Sequence, residues 1–503
     1  MKLFNVKQIR ECDAYTIENE PIASIDLMER AAKGLFLFIK DNFKTNIPFN
    51  IFCGKGNNGG DGLALARIML ENNYNLIVYI VNFNDNSSND YQINYERLNK
   101  LHPDKIVLIN DVSSLPTINS SDIIIDAIFG TGLNKKIEKE YATLIKYLNK
   151  INSFKIAVDM PSGLWAENNK DNDYETVFKA NITLTFQFPK LSFLFPENEK
   201  LVGDWFVIDI NLSKEYIDKT ENQHELITIN EIKLLLTKRN KFSHKGDYGH
   251  GLFIGGSYGK IGAAVLSSKA ALKTGIGLLT SYIPLVGYNI LQISVPEAMV
   301  LTADNSNIIT GSIDYPKYSA IAIGPGIGTH KDTAATLKVL IQNYQKPIIF
   351  DADALNILSE NKTWLSFVPK NSIFTPHHNE FVRLFGNSKN SFERLVLQIE
   401  MAIKYNVYIV YKGHYSCISS PNGKIYFNST GNPGMSTAGS GDVLTGIILG
   451  MISQSENILT SLIKAVYLHG LAGDIAAEKH TQQCLIATDI IENIPEALKR
   501  ISI

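Results

Sequence analysis

Twice along this chain, apolar runs of strand length alternate with segments of helical period, and this double series constrains the fold more than any other feature. The first series reads "FNIFCG", "NLIVYIV", "KIVLI", "DIIIDAIFG", "KIAVDMPSG" and "ITLTFQFP", with helices expected between, as over Gly62–Asn72 and Glu138–Lys150. Ahead of it, Ser24 is placed to cap a helix through "IDLMERAAKGLFLFIKDNF". The second series reads "GLFIGG", "LLTSYIP", "SAIAIGPG", "PIIFDADAL", "SIFTPH" and "VYIVYKG", with helices at "KDTAATLKVLIQNY" and "SFERLVLQIEMAIKYN". Buried strands alternating with helices predict a parallel sheet covered on both faces. At 503 residues the chain exceeds what one core usually organises. Two doubly wound α/β domains are expected, over residues 1–215 and 227–503. The polar stretch "LSKEYIDKTENQHELITIN" supplies a linker near 212–226. No internal repeat relates the halves.

Charge narrows the partners. A net charge of −2 gives no global attraction to nucleic acid or to an anionic membrane. The local run Lys238-Arg239-Asn240-Lys241 fits a solvated face as well as a phosphate contact. The four cysteines are far apart and form no CxxC, which argues against a disulfide framework or a thiolate metal site. The N-terminus lacks a signal-peptide core and no apolar run reaches membrane-spanning length, so a cytoplasmic location is expected.

The first chemical signal is "CGKGNNGGDGLALARIML". Gly54-Lys55-Gly56-Asn57-Asn58-Gly59 satisfies GxGxxG between a strand and a helix, the setting of a dinucleotide fingerprint. The acidic residue that should follow about 20 positions later is missing. Asp61 instead falls at the helix start, where it suits the dipole as a cap but repels a phosphate. A capped turn that needs glycine only for its backbone remains the plain alternative.

Two further strand ends change the balance. "DAIFGTGL" sets Asp126 before Gly130-Thr131-Gly132, and "VDMPSGLWAE" sets Asp159 before Ser162 and Gly163. Ligands of open α/β sheets lie outside the carboxyl ends of the strands. Three such ends bearing Asn, Asp and Ser make an oxygen-rich site, suited to a hard cation rather than zinc.

These motifs, with "SIDLMERAA", resemble the NAD(P)H-hydrate epimerase family over about residues 1–215. Such epimerases invert the hydroxyl-bearing carbon of hydrated nicotinamide cofactors and bind potassium. The resemblance implies a Rossmann-like three-layer sandwich. It implies ligand contacts from Asn57, Asn58, Gly59, Gly60, Asp61, Gly130, Thr131, Gly132, Leu133, Asn134, Lys135, Lys136 and Asp159. Potassium contacts are implied at Asn58, Asp126 and Ser162. Asp159 is the expected proton carrier, since one carboxylate can assist ring opening and reclosure on the other face.

In the second half no Walker A motif exists. "GGSYGKIGAA" is too short from Gly255 to Lys260 and has Ile261 where Ser or Thr would hold magnesium. It reads equally as a tight strand end and as a close approach for a ligand. The strongest signal is "NPGMSTAGSGDVLTGIILG", where Gly439, Ser440 and Gly441 precede Asp442 at the start of an apolar helix. Backbone amides there bind anions, and the adjacent Asp can accept a hydroxyl proton. "TPHHNEF" suggests a metal through His377 and His378, but adjacent side chains on a strand end point apart.

The GxGD element resembles the ribokinase-like superfamily, and its surroundings resemble the ADP/ATP-dependent NAD(P)H-hydrate dehydratases over about 227–503. The resemblance implies contacts to the hydrated cofactor from Ala264, Gly326 or Gly328, His377 and Asp442. It implies nucleotide contacts from Lys412, Gly413, His414, Gly439, Ser440 and Gly441, with Mg2+ accompanying ADP or ATP. Lys260, Ser440 and Ser436 stand where Met, Thr and Ala are usual. The expected protein is a homo-oligomeric bifunctional repair enzyme acting on small molecules, with Asp442 as base. The resemblance implies that fusion of the two activities is the arrangement of prokaryotes, which use ADP, and so favours ADP over ATP. The alternative is a hydroxymethyl or vitamin kinase joined to a non-catalytic binding module.

Overall fold

The computed structural model describes residues 1–236, 238–455 and 457–502. The chain divides into two compact units, one of residues 2–222 with 389–392, the other of Met1, 223–388 and 393–503.

In the first unit the strands are β1 (Phe49–Cys53), β2 (Leu76–Val81), β3 (Ile106–Ile109), β4 (Ile123–Ala127), β5 (Phe154–Val158), β6 (Ile182–Phe186) and β7 (Asp204–Ile208). They form a 7-stranded sheet in the order β3-β2-β1-β4-β5-β6-β7, parallel throughout. Side chains alternate between two apolar layers, as strands buried on both faces require. Ile51, Ile125 and Ile156 pack on one side, and Phe52, Ile124 and Ala157 on the other. The chain reverses direction across the sheet between β1 and β4, which opens a crevice at their carboxyl ends. That crevice receives the glycine loop and Asp126.

In the second unit the strands are β8 (His224–Ile227), β9 (His250–Ile254), β10 (Leu278–Ile283), β11 (Met299–Thr302), β12 (Ala320–Ile323), β13 (Ile348–Phe350), β14 (Ile373–Phe374), β15 (Tyr408–Tyr411), β16 (Cys417–Ser419) and β17 (Ile425–Asn428). Their order is β8-β17-β16-β15-β14-β13-β12-β9-β10-β11. Only the β15–β16 and β16–β17 pairs among these are antiparallel. The reversal between β9 and β12 makes a second crevice, and β13, β14 and β15 end beside it. Both halves are therefore doubly wound α/β.

Several local expectations need correction. The stretch near 212–226 is not a bare linker. Ser213 caps a helix over Lys214–Lys219, and β8 buries Leu226 and Ile227 while pairing with β17. Helix Ile458–His480 is long and apolar enough to cross a membrane by length and composition, contrary to the sequence reading. It packs instead among the core helices, with Leu462, Val466, Ala472 and Ile475 buried. Ser24 is not a cap: it is the first helical residue, and its hydroxyl donates to Asp90 at 2.6 Å.

Candidate functional sites

The first site grows from the turn after β1. The helix begins at Asn57, five residues before the expected Gly62, with Gly56 as its cap. Asp61 therefore sits in the second turn, too deep to cap, because glycines let the helix start against the strand. A Cβ at Gly59 would fall 1.7 Å from the Gly54 carbonyl oxygen, and one at Gly60 would meet Met28. These two glycines serve close packing.

The loop opens into a cavity of about 450 Å³ lined by residues from every expected segment, including Asn57, Asn58, Asp61, Gly130, Thr131, Gly132, Leu133 and Asp159. Asn134, Lys135 and Lys136 are exposed and do not line it. The Lys135 carbonyl instead accepts from the Trp165 indole at 3.1 Å. A Cβ on Gly130 would stand 3.1 Å from Asn58 Oδ1 and 3.2 Å from Asp159 Oδ2, so that glycine keeps the space between them open.

Asp159 closes β5 in a left-handed conformation, φ 64°. Such backbone costs about 1–3 kcal/mol and concentrates at functional sites. Its Oδ2 accepts from the Thr131 amide at 3.0 Å and from the Thr131 hydroxyl. Its Oδ1 accepts from Lys190 Nζ at 2.7 Å, and Lys190 also donates to Thr185 Oγ1 at 2.7 Å. Burial pushes the Asp159 carboxyl up, but Lys190 and Thr131 outweigh it and hold it below the usual range. Lys190 was not anticipated; "FPK" just after a strand end was the available signal.

Asp126 and Ser162 lie behind this wall, both fully buried. Ser162 donates through its amide at 2.7 Å and its hydroxyl at 2.6 Å to Asp126. Burial still pushes Asp126 to about 6. Both polar atoms of the Asn58 amide are buried without a hydrogen-bond partner. Orphaned buried amides are rare. An unpaired amide oxygen on the turn after β1 and a desolvated carboxylate on the adjacent strand β4 are donors suited to a potassium-like cation, so these residues are compatible with the ion the resemblance implies.

The second site assembles on the helix Ser440–Ser453. Gly439 caps it with φ 88°, which glycine alone adopts freely, and the helix begins two residues before Asp442. Ser267 Oγ donates to the Asp442 carbonyl at 2.8 Å, tying this helix to Ile261–Lys273. That second helix carries Ala264, fully buried against Gly256. Gly256 has φ 79°, so "GGSYGKIGAA" does end its strand in a tight turn. Gly326 and Gly328 also have positive φ, 69° and 72°, and the Gly328 amide donates to Asp353 at 2.9 Å.

Asp351, after β13, is the hub that sequence reading quoted in "DADAL" without assigning. Its carboxylate accepts from Lys412 Nζ at 2.8 Å, from Thr375 at 2.7 Å and from Thr445 at 2.6 Å. Despite burial, Lys412 and these hydroxyls keep it ionised below the usual range. Lys412 is 3.8 Å from Glu380, which in turn pairs with His377 Nε2 at 3.3 Å. A Cβ on Gly441 would be 3.6 Å from Lys412 Nζ, so the ammonium lies beside the helix N-terminus. Burial and then Asp351 push Asp442 to about 6, with Lys412 opposing. His469 underlies the turn, bonded to the Ser440 carbonyl at 3.0 Å, and burial lowers it to about 4.

His377 and His378 are not a strand end: His377 caps the helix His378–Phe385. They do separate, His377 to Glu380 and His378 to the Tyr411 hydroxyl at 3.0 Å. Gly413 and His414 lie in the loop after β15, where His414 stacks edge-on against Tyr415. No group of three or more His, Cys, Asp or Glu side chains is set to hold a metal among the described residues. A magnesium ion here would arrive with nucleotide phosphates.

Comparison with known proteins assigns a family to each half of the chain. Residues 252–496 match the family described as NAD(P)H-hydrate dehydratase, and residues 24–192 match the YjeF-related protein N-terminus. A ribokinase-like superfamily protein from Enterococcus faecalis is 28% identical with a TM-score of 0.51, covering 56% of this chain and 98% of that one. A bifunctional NAD(P)H-hydrate repair enzyme from Thermofilum pendens is 31% identical over 99% of this chain and 96% of its own length. Another from Moorella thermoacetica is 33% identical over 100% of this chain and 97% of its own length. With this similarity running from end to end across both units, the chain belongs to the family of bifunctional NAD(P)H-hydrate repair enzymes.

Proposed function

We propose that this chain restores hydrated NADH and NADPH. Its first unit interconverts the two epimers at the hydroxyl-bearing ring carbon. Its second dehydrates one of them at the expense of ADP or ATP. The observation that carries the reading is Asp442, a carboxyl raised toward neutrality beside Lys412 at a glycine-capped helix N-terminus.

In the second unit Asp442 takes the proton of the ring hydroxyl, whose oxygen attacks the terminal phosphorus of the nucleotide. Amides at Ser440 and Gly441 and the Lys412 ammonium face the charge that develops on the transferring group. The phosphate then departs from the ring carbon, pushed by the nitrogen lone pair. Loss of a proton from the neighbouring carbon restores the dihydropyridine. Ala264, Gly326, Gly328 and His377 are the proposed contacts to the hydrated ring cofactor. Gly413, His414 and Gly439 are proposed for the nucleotide, which brings its own Mg2+.

In the first unit the cavity residues Asn57, Asn58, Asp61, Gly130, Thr131, Gly132, Leu133 and Asp159 are the proposed substrate contacts, with Gly59 and Gly60 shaping the turn and Asn134, Lys135 and Lys136 on the exposed loop beyond it. When bound, potassium would be held by Asn58, Asp126 and Ser162 and would supply positive charge against substrate oxygens. The same reading includes domains over 1–215 and 227–503, a preference for ADP, cytoplasmic location and self-association. The net charge of −2 supports small-molecule partners over nucleic acid or membrane.

The test is to supply hydrated NADPH with ADP or ATP and follow both the dihydronicotinamide absorbance and free phosphate. Recovery of absorbance with stoichiometric phosphate is expected. A stable phosphorylated product without recovered absorbance would mean a kinase.

A further inference from the structure

Asp159 is poorly suited to carry a proton. Its two oxygens are already engaged by Lys190, by the Thr131 amide and by the Thr131 hydroxyl. Two other carboxyls face the same cavity with no such engagement. Asp13, on the helix Val6–Asn19, and Asp61, on Asn57–Glu71, both line it. Neither accepts a hydrogen bond among the described residues. Asp61 is only 9% exposed, and the cavity-lining Asn58 amide beside it in the chain is unpartnered as well. Buried polar groups in native proteins are normally satisfied, so the unpartnered Asn58 amide marks this wall of the cavity as kept for whatever enters it, and Asp61 and the half-buried Asp13 open onto the same space.

We propose that Asp13 and Asp61 are the proton-carrying pair of the first site, and that Asp159 is a fixed anion anchoring Lys190 and the Thr131 turn. The proposal rests on the epimerase reading of that site and assigns its chemistry to different residues. One carboxylate removes the proton of the ring hydroxyl, and the carbon–oxygen bond becomes a carbonyl. The ring carbon–nitrogen bond breaks, its electron pair goes to nitrogen, and the second carboxyl protonates that nitrogen. Rotation about the adjacent carbon–carbon bond presents the other carbonyl face. The reverse sequence closes the ring and returns both protons, so no further reactant is needed.

The surroundings give the pair its opposite charge states. Burial and Asp159 push Asp13 to about 6, with Lys190 opposing, so it is mainly ionised at neutral pH. Burial, then Asp159, Asp13 and Asp90, push Asp61 well above the usual range, which favours its protonated form. Arg10, Lys55, Tyr141 and Lys190 also face the cavity, and Cys53 and Asp90 stand behind Asp61. Two carboxyls whose environments separate their titrations make one base and one acid.

The test uses the full chain and one purified epimer, following conversion to the other by chromatography as a function of pH, without nucleotide. Folding of the first unit is read from its own thermal unfolding transition, and dehydration by the second unit reports the rest of the chain. Wild type should show a bell-shaped profile whose acid limb lies near 6. Asp13→Asn and Asp61→Asn should each lose on the order of 100-fold or more in interconversion with dehydration retained. Asp13→Glu should recover part of the rate with a shifted acid limb. Asp159→Asn should lower the rate but keep the bell, its acid limb moved to lower pH because an anion that raises both carboxyls is gone. Wild-type rates in Asp13→Asn or Asp61→Asn, or loss at every pH in Asp159→Asn alone, would overturn the assignment. A wild-type chain that leaves the epimer ratio unchanged would overturn the epimerase reading itself.

Discussion

The half-buried Lys412 ammonium lies 2.8 Å from the buried Asp351 carboxylate, the two standing at the ends of strands two places apart in the second sheet. Removing one partner of a fully buried pair costs about 3–5 kcal/mol, an upper bound here because Lys412 is half-buried and keeps Glu380 at 3.8 Å. Asp351→Asn should therefore lower unfolding free energy by about 1–3 kcal/mol in urea at neutral pH. The folded carboxyl of Asp351 is depressed, so its contribution is present above the ordinary carboxylate range and is lost as pH falls through the folded value. The gap between wild type and variant should close on acidification. An unchanged gap would show that charge is not its source.

Asp442→Asn should cut dehydration by about 10²–10⁴-fold while nucleotide binding persists, as measured by calorimetry. In wild type, kcat/KM for dehydration should fall as pH drops below about 6, because protonation removes the base. The raised folded value also stabilises the fold at acid pH, and that contribution is lost as pH rises through about 6. Asp442→Asn should flatten both dependences. Normal turnover by the variant would remove Asp442 from the reaction.

Glycines in the second unit differ sharply in what a methyl would meet. At Gly446 a Cβ would lie 2.1 Å from the Ser267 carbonyl oxygen, whereas nothing stands within 4 Å at Gly262. Gly446→Ala should destabilise by about 1–3 kcal/mol. Gly262→Ala, within the helix Ile261–Lys273, should stabilise by up to about 1 kcal/mol. Thermal unfolding of both variants checks the contrast; equal shifts would contradict the packing.

Potassium should raise the melting temperature of the first unit's transition relative to an equal concentration of a bulky organic cation. Saturation at 100 times Kd corresponds to about 2.7 kcal/mol. Asn58→Leu and Asp126→Asn should each abolish the increment. An increment that survives in both variants would place the ion elsewhere.

The sequence disclosed the strands buried on both faces, because β12 is a continuous apolar run and β1, β4 and β9 each carry only a single polar residue. It concealed the margins. Asp204–Ile208 and Met299–Thr302 are half-exposed edge strands whose mixed composition carries no clear period. The hairpin β16–β17 was announced by Asn422-Gly423, with Gly423 at φ 83°, but its short strands look like loop text. Site motifs were legible where glycine and acid share a turn, as around Asp61, Asp159 and Asp442. Lys190 and Asp351 were not singled out, because each is paired with a residue 31 or 61 positions away, and Asp13 was not because only the fold brings its helix to the cavity.

The residues lining the first cavity all fall within 2–222, and the network of Asp442, Lys412, Asp351 and Glu380 all falls within 223–503. Each centre is thus closed in its own stretch of polypeptide. Two inactive alleles, one altered at Asp61 and the other at Asp442, should then complement when expressed together in one cell. The freely diffusing metabolite would pass from one mutant chain to the other. The gene would behave as two cistrons sharing a single reading frame.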